Sequence, residues 1–162
     1  VIFWSIFAVS LALDLWSKHA VFEWIRQRHY RSIEIINGTL RFVTAENPGA
    51  AFGLAHGQTA FLVGVSVIAL VLVLLLFYFG RFKNMLNQIA MALITAGVTG
   101  NLWDRIFNDG RVRDFIDVRL WQGRHWPTFN VADSILCIGV ALLILEVLFT
   151  GQSDQERAQQ QK

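Results

Sequence analysis

Two carboxylates sit where an apolar chain has little reason to keep them: Asp117 in Phe115-Ile116-Asp117-Val118 and Asp133 in Phe129-Asn130-Val131-Ala132-Asp133-Ser134. Each borders a hydrophobic run. A charge near hydrocarbon costs about 2.5 to 3.5 kcal/mol on insertion scales, so such a residue is a functional candidate. Two acids at such edges suggest a paired-carboxylate site. Close carboxylates cannot both ionise easily; they share one proton and split their apparent pKa values. The ionised member then takes a proton from water while the protonated member hydrogen-bonds a substrate carbonyl. Asp133 is expected in the first turn of a helix that begins after Asn130, where the N-terminus favours an anion by up to about 1 kcal/mol. Asp117 is then the expected proton holder. A plainer account stays open for each: Asn130 and Asp133 as a helix cap, and Asp117 as a solvated loop acid beside Asp109 and Asp114.

Other polar residues have spacings that bear on such a site. Asp14 and Lys18 lie four apart on one helix face and can neutralise each other or support a site. Asn101 and Asp104 are three apart, followed by Arg105, either as a helix terminus at a membrane interface or as part of the site. Asn47-Pro48-Gly49-Ala50-Ala51-Phe52-Gly53 has the composition of a turn followed by small residues. His19, His29, His56 and His125 show no metal-ligand spacing, and no Gly-rich phosphate loop follows a strand, so neither a metal nor a cofactor is expected. Cys137, the single cysteine, is expected to be a small buried hydrophobe.

The elements that must hold these residues are mostly apolar helices. Of the 162 residues, 54% are hydrophobic and only 16% charged, well short of the charge of a soluble domain. The net charge of +2 and the scattered basic residues give no nucleic-acid signal. A bilayer span takes about 20 apolar residues. Four stretches qualify, at 1–22, 59–79, 85–103 and 131–149, and the first lacks the cleavage pattern of a removable signal. The chain opens on Val1, so its natural start is expected to lie further upstream. The predicted fold is membrane α-helical, with four transmembrane helices and a small extracytoplasmic sheet and loop layer. One domain is expected over 1–150, with extramembrane segments 23–58 and 104–130 and a disordered cytoplasmic tail at 151–162. In the first segment, Asn37-Gly38 between Ser32-Ile33-Glu34-Ile35-Ile36 and Thr39-Leu40-Arg41-Phe42-Val43 predicts a β-hairpin. In the second, a turn at Asn108-Asp109-Gly110 and a strand over 112–120 are predicted. The two long connections carry four and five Lys or Arg residues against two in the short turn and two in the tail, so charge alone does not orient the chain.

Five segments occur in a telling order: Asp14-x-x-x-Lys18, Asn47-Pro48-Gly49-Ala50-Ala51-Phe52-Gly53, Gly100-Asn101-x-x-Asp104-Arg105, Val112-x-Asp114-Phe115-Ile116-Asp117 and Phe129-Asn130-Val131-Ala132-Asp133-Ser134. Together they resemble the signature of bacterial lipoprotein signal peptidase, or signal peptidase II. The resemblance implies an aspartic endopeptidase of the bacterial cytoplasmic (inner) membrane that cuts a diacylglyceryl-modified prolipoprotein just before its lipidated cysteine. It implies a catalytic dyad of Asp117 and Asp133, with Asn47 and Arg105 on the substrate backbone and on the inhibitor globomycin. Asp14, Lys18, Asn101, Asp104 and Asn130 match positions that support the site. Both termini are then cytoplasmic, the active site faces the extracytoplasmic side, and the partners are prolipoprotein and membrane lipids. A single chain supplies every segment, so a monomer is expected. Leu15, Trp103 and Val98-Thr99 depart from the usual pattern, outside the expected dyad. The main alternative is a small ion-coupled transporter, disfavoured by the lack of an internal repeat and by acids clustered toward one face. A non-catalytic scaffold would leave Asn130 and Asp133 as a cap alone.

Overall fold

A computed structural model describes residues 1–49, 57–80, 84–120 and 123–160. The expected residues 50–53, Phe52 among them, and Arg81 and Lys83 of the short turn lie outside the described residues. The order is α1 (Ile2–Gln27), β1 (Ser32–Ile36), β2 (Leu40–Asn47), α2 (Thr59–Phe79), α3 (Met85–Phe107), β3 (Val112–Val118) and α4 (Val131–Gln160).

Two of the four helices are long and apolar enough to cross a membrane by composition alone: Thr59–Phe79 and Val131–Phe149. α1 and α3 have the length but carry more polar residues than that test allows. Several of their polar groups, Asp14, Lys18, Asn87, Thr95 and Asp104, are buried. In α1, Asp14 and Lys18 are fully buried while Trp4, Val9, Leu13 and Trp16 are exposed. This is the reverse of the soluble pattern, in which apolar residues hide and charges face out.

α3 is the central helix and packs against α1, α2 and α4. Its buried face carries Ala90, Ala92, Ala96, Gly97 and Gly100. Such residues let two helix backbones approach closely, which is how helices associate without a hydrophobic driving force. At Gly97 a Cβ would lie 2.5 Å from the Ala132 carbonyl oxygen; at Gly139, on α4, one would lie 2.8 Å from the Ala90 carbonyl oxygen. The helices touch main chain to main chain at both places.

The strands form a three-stranded antiparallel sheet in the order β1-β2-β3. The hairpin predicted at Asn37-Gly38 is present: Gly38 takes φ 73°, and the Thr39 N–H donates to the Ile36 carbonyl at 3.0 Å. The turn at Asn108-Asp109-Gly110 is also present, with φ 49° at Asp109 and 80° at Gly110. Phe115 and Phe42 seat the sheet on Val21, Phe22 and Ile25 at the end of α1. Five arginines of the two long connections are in ion pairs, with Glu23, Asp117, Glu46, Asp104 and Glu34.

α4 continues to Gln160, through most of the stretch predicted to be disordered. Its Gln, Glu, Arg and Ala residues propagate a helix well, and extending a helix that already exists avoids the cost of nucleation.

Candidate active site

The site forms where α4 begins, α3 ends and β3 passes over both. Asn130 caps α4: its side-chain oxygen accepts from the Asp133 N–H at 3.0 Å, and Asp133 Oδ2 accepts from the Asn130 N–H at 3.1 Å. This is the reciprocal capping box with Asp in place of Glu. The cap account is therefore correct, and it leaves the second oxygen of Asp133 free for other work. That oxygen, Oδ1, accepts from Asn101 Nδ2 at 2.7 Å. The next free amide of the helix, Ala132 N–H, donates to Asp14 Oδ1 at 2.8 Å.

A buried ionic framework locks α1, α3 and β3 together. Lys18 Nζ lies 2.8 Å from Asp14 and 3.4 Å from Asp104, and all three side chains are fully buried. Arg113, at the start of β3, closes the set on Asp104, its guanidinium donating at 2.7 Å and its backbone N–H at 2.9 Å. Lys18 also donates to Asn101 Oδ1 at 3.1 Å. An ammonium only donates, so the Asn101 amide must present its oxygen to Lys18 and its NH2 to Asp133. The framework thus fixes the direction of the hydrogen bond that Asp133 receives.

The carboxylate brought toward Asp133 is Asp114. Asp114 accepts from Asn130 Nδ2 at 2.7 Å and from Asn47 Nδ2 at 3.1 Å, and it is almost fully buried. Burial, followed by the charge of Asp133, pushes its pKa up to about 6, against the hydrogen bonds from Asn47 and Asn130. Asn47 is itself held by an Asx turn, its Oδ1 accepting from the Gly49 N–H at 2.9 Å.

Asp117, the expected partner, is elsewhere. It is bonded to Arg41, its cross-strand neighbour, and to His125 Nδ1 at 2.8 Å. Burial alone would raise its pKa, but the His125 and Arg41 hydrogen bonds outweigh it and hold the carboxyl below the usual range. Asp117 does not line the cavity that holds Asp114 and Asp133. The physical reason is the pleat: residues three apart on a strand project to opposite faces. A bulge in β2 between Phe42 and Ala45 then brings Asn47 level with Val112, beside Asp114. Sequence reasoning paired Asp117 with Asp133, whereas the acid that shares the cavity with Asp133 is Asp114. Alternation along the predicted strand was the signal available, since it allows only one of the two acids to face the helices.

The cavity has a volume of about 930 Å³. Besides the two acids, it is lined by Asn47, Pro48 and Gly49, by Asn101 and Arg105, by Trp126 to Phe129, and by Leu136 and Cys137 of α4. Arg105 donates to the Gly49 carbonyl at 3.1 Å, while its Nε is buried without a partner among the described residues. Seven of the expected residues (Asp14, Asn47, Lys18, Asn101, Arg105, Asn130 and Asp133) are joined here in one network, with Asp104 anchoring it. Trp24 meets Phe42 edge to face, with ring centroids 6.5 Å apart.

A paired-acid cavity under a small sheet can be set against known proteins. The family model described as signal peptidase (SPase) II matches residues 6–149. This chain belongs to the signal peptidase II family. Among its relatives, the lipoprotein signal peptidase of Geobacter metallireducens is 37% identical over 150 residues, covering 91% of this chain and 90% of that protein. The lipoprotein signal peptidase of Syntrophomonas wolfei is 38% identical over 157 residues, covering 96% and 99%. A solved structure described as a bacterial membrane enzyme superposes with a TM-score of 0.78 at 31% identity, covering 93% of this chain and 90% of that one. The resemblance carried by the five segments is borne out, and signal peptidase II membership makes the chain a peptidase.

Proposed function

We propose that this chain removes the signal peptide from diacylglyceryl-modified prolipoproteins, cutting before the lipidated cysteine, with Asp114 and Asp133 as an aspartic dyad. The observation that carries the dyad is the asymmetry between two neighbouring acids in one cavity. Asp114 is buried with a pKa of about 6, beside an Asp133 seated on a helix N-terminus. Environments that push two acids apart assign the acid and the base.

In the proposed reaction Asp133 takes a proton from a water molecule as its oxygen attacks the scissile carbonyl carbon. Protonated Asp114 gives its proton to the developing oxyanion. Collapse of the tetrahedral intermediate breaks the C–N bond; Asp133 passes its proton to the leaving nitrogen, and Asp114 recovers its own from the oxyanion. Arg105, whose Nε has no partner among the described residues, is the proposed donor to a substrate backbone carbonyl. Trp126, Pro127 and Phe129, with Leu136 of α4, offer apolar walls to a lipidated peptide.

All four helices cross the bilayer in this reading. The inward-facing polar residues of α1 and α3 and their apolar exposed faces support it. Both termini are cytoplasmic, the sheet and cavity face the extracytoplasmic side of the inner membrane, and one chain is sufficient. Cleavage of a diacylglyceryl-modified peptide by the purified chain is the test. Asp114→Asn and Asp133→Asn are each expected to lower kcat by about a thousandfold or more, Asp117→Asn is expected to keep turning over, and globomycin is expected to inhibit. Near-normal turnover by Asp114→Asn would overturn the assignment.

A further inference from the structure

Asp117 and His125 lie outside the dyad, yet the structure has gone to some length to join them. Asp117 is a nearly buried carboxylate with Arg41 on one oxygen and His125 on the other. An ionised carboxylate only accepts, so His125 Nδ1 must carry the hydrogen and donate at 2.8 Å. His125 sits on the segment that returns along β3 after the tip of the connection. Its backbone is tied at three places: Leu120 N–H to the Arg124 carbonyl at 2.7 Å, Trp126 N–H to the Val118 carbonyl at 2.8 Å, and Phe129 N–H to the Ile116 carbonyl at 3.1 Å. Between the last two ties the chain carries Trp126, Pro127, Thr128 and Phe129 into the wall of the cavity. Pro127 has no N–H to add to the ladder. Among the described residues, His125 to Asp117 is the side-chain hydrogen bond that fastens this segment to β3.

We propose that Asp117 is a positioning residue, latching His125 and with it the Trp126–Phe129 wall at the distance from the Asp114–Asp133 pair that the substrate requires. The inference rests on the peptidase reading of that pair. The charged groups around the latch are consistent with a fixed clamp. Arg41 faces Asp117 from β2 and keeps it ionised, and Arg119, which bridges to His125 through the backbone, is turned toward Glu34 of β1 at 3.6 Å. The acceptor is buried, and the donor is partly exposed on the segment it fastens.

A latch acts on substrate binding and leaves the chemical step alone, which separates it from a purely structural role. Steady-state cleavage of a diacylglyceryl-modified peptide by the full chain tests it. Asp117→Ala and His125→Ala are each expected to raise KM about five- to tenfold with kcat within about twofold of the parent. The double variant is expected to be no worse than either single one, because both remove the same bond. His125→Asn, which keeps a donor at the δ position, is expected to restore KM. An unmoved KM, additive losses, or failure of His125→Asn to restore overturns the latch. Should Asp117→Ala fail to fold, the half-exposed His125→Ala and His125→Asn pair decides alone. Asp114→Asn run alongside separates the two readings: its inactivity with an unmoved latch KM sinks only the latch, whereas its activity with loss of kcat in Asp117→Ala sinks the dyad.

Discussion

The raised pKa of Asp114 has a measurable consequence for stability. An ordinary Asp gives up its proton near 3.8, whereas folded Asp114 holds it to about 6. Between those values the folded state binds more protons than the unfolded state, so stability falls as pH rises. At 1.36 kcal/mol per pH unit, the gap amounts to about 3 kcal/mol, absent below the lower value and fully present above the upper one. Asp114→Asn removes the titration. It also sets an amide NH2 against one of two amide donors, Asn47 or Asn130, at a cost of about 1 to 3 kcal/mol that does not vary with pH. Subtracting wild-type from variant stability at each pH leaves that cost as a constant offset. The difference is then expected to shift by about 3 kcal/mol in favour of the variant between about pH 4 and pH 8. Equilibrium unfolding in mixed micelles, followed by the fluorescence of the six tryptophans, gives the curve. A difference that stays flat within about 0.5 kcal/mol across this range refutes the raised pKa, and with it the physical basis for Asp114 as proton holder.

Two structural predictions accompany the cleavage and latch experiments. Lys18→Met leaves Asp14 and Asp104 buried without their shared cation and is expected to cost about 3 to 5 kcal/mol in the same unfolding assay; an unchanged midpoint would show that the framework relaxes around its loss. Gly97→Ala drives a methyl to 2.5 Å from the Ala132 carbonyl and must separate α3 from α4. It is expected to cost about 1 to 3 kcal/mol and to lower kcat by disturbing Asn101 and Asp133 together, whereas a fully active Gly97→Ala variant would mean that the close approach is not needed to align the site.

Much of the molecule was legible from the sequence because the signals are local. The Asn37-Gly38 hairpin depends on a turn that few residue pairs can make, and the helices depend on apolar length. The Asn130-Asp133 cap depends on a spacing of three residues, and both of its hydrogen bonds are present. The five ordered segments carried the family. Less legible were the inward-facing charges of α1 and α3, which lower the apparent hydropathy of helices whose outer faces are apolar.

From the sequence, Asp117 was the expected partner of Asp133 at the start of α4, and the resemblance of the five segments placed Asn47, Asn101 and Asn130 around them. Only the tertiary structure decided which acid shares a cavity with Asp133. Asp114 and Asp117 are equally acidic and three residues apart, and nothing in their spacing from Asp133 distinguishes them. Strand alternation sends one to the helices and the other to Arg41 and His125, and the β2 bulge brings Asn47 to the first. Burial beside a second charge then raises Asp114 to about 6, while two donors hold Asp117 low. Which face an acid occupies, and what surrounds it there, are properties of through-space packing, and they gave two similar carboxylates opposite chemistry.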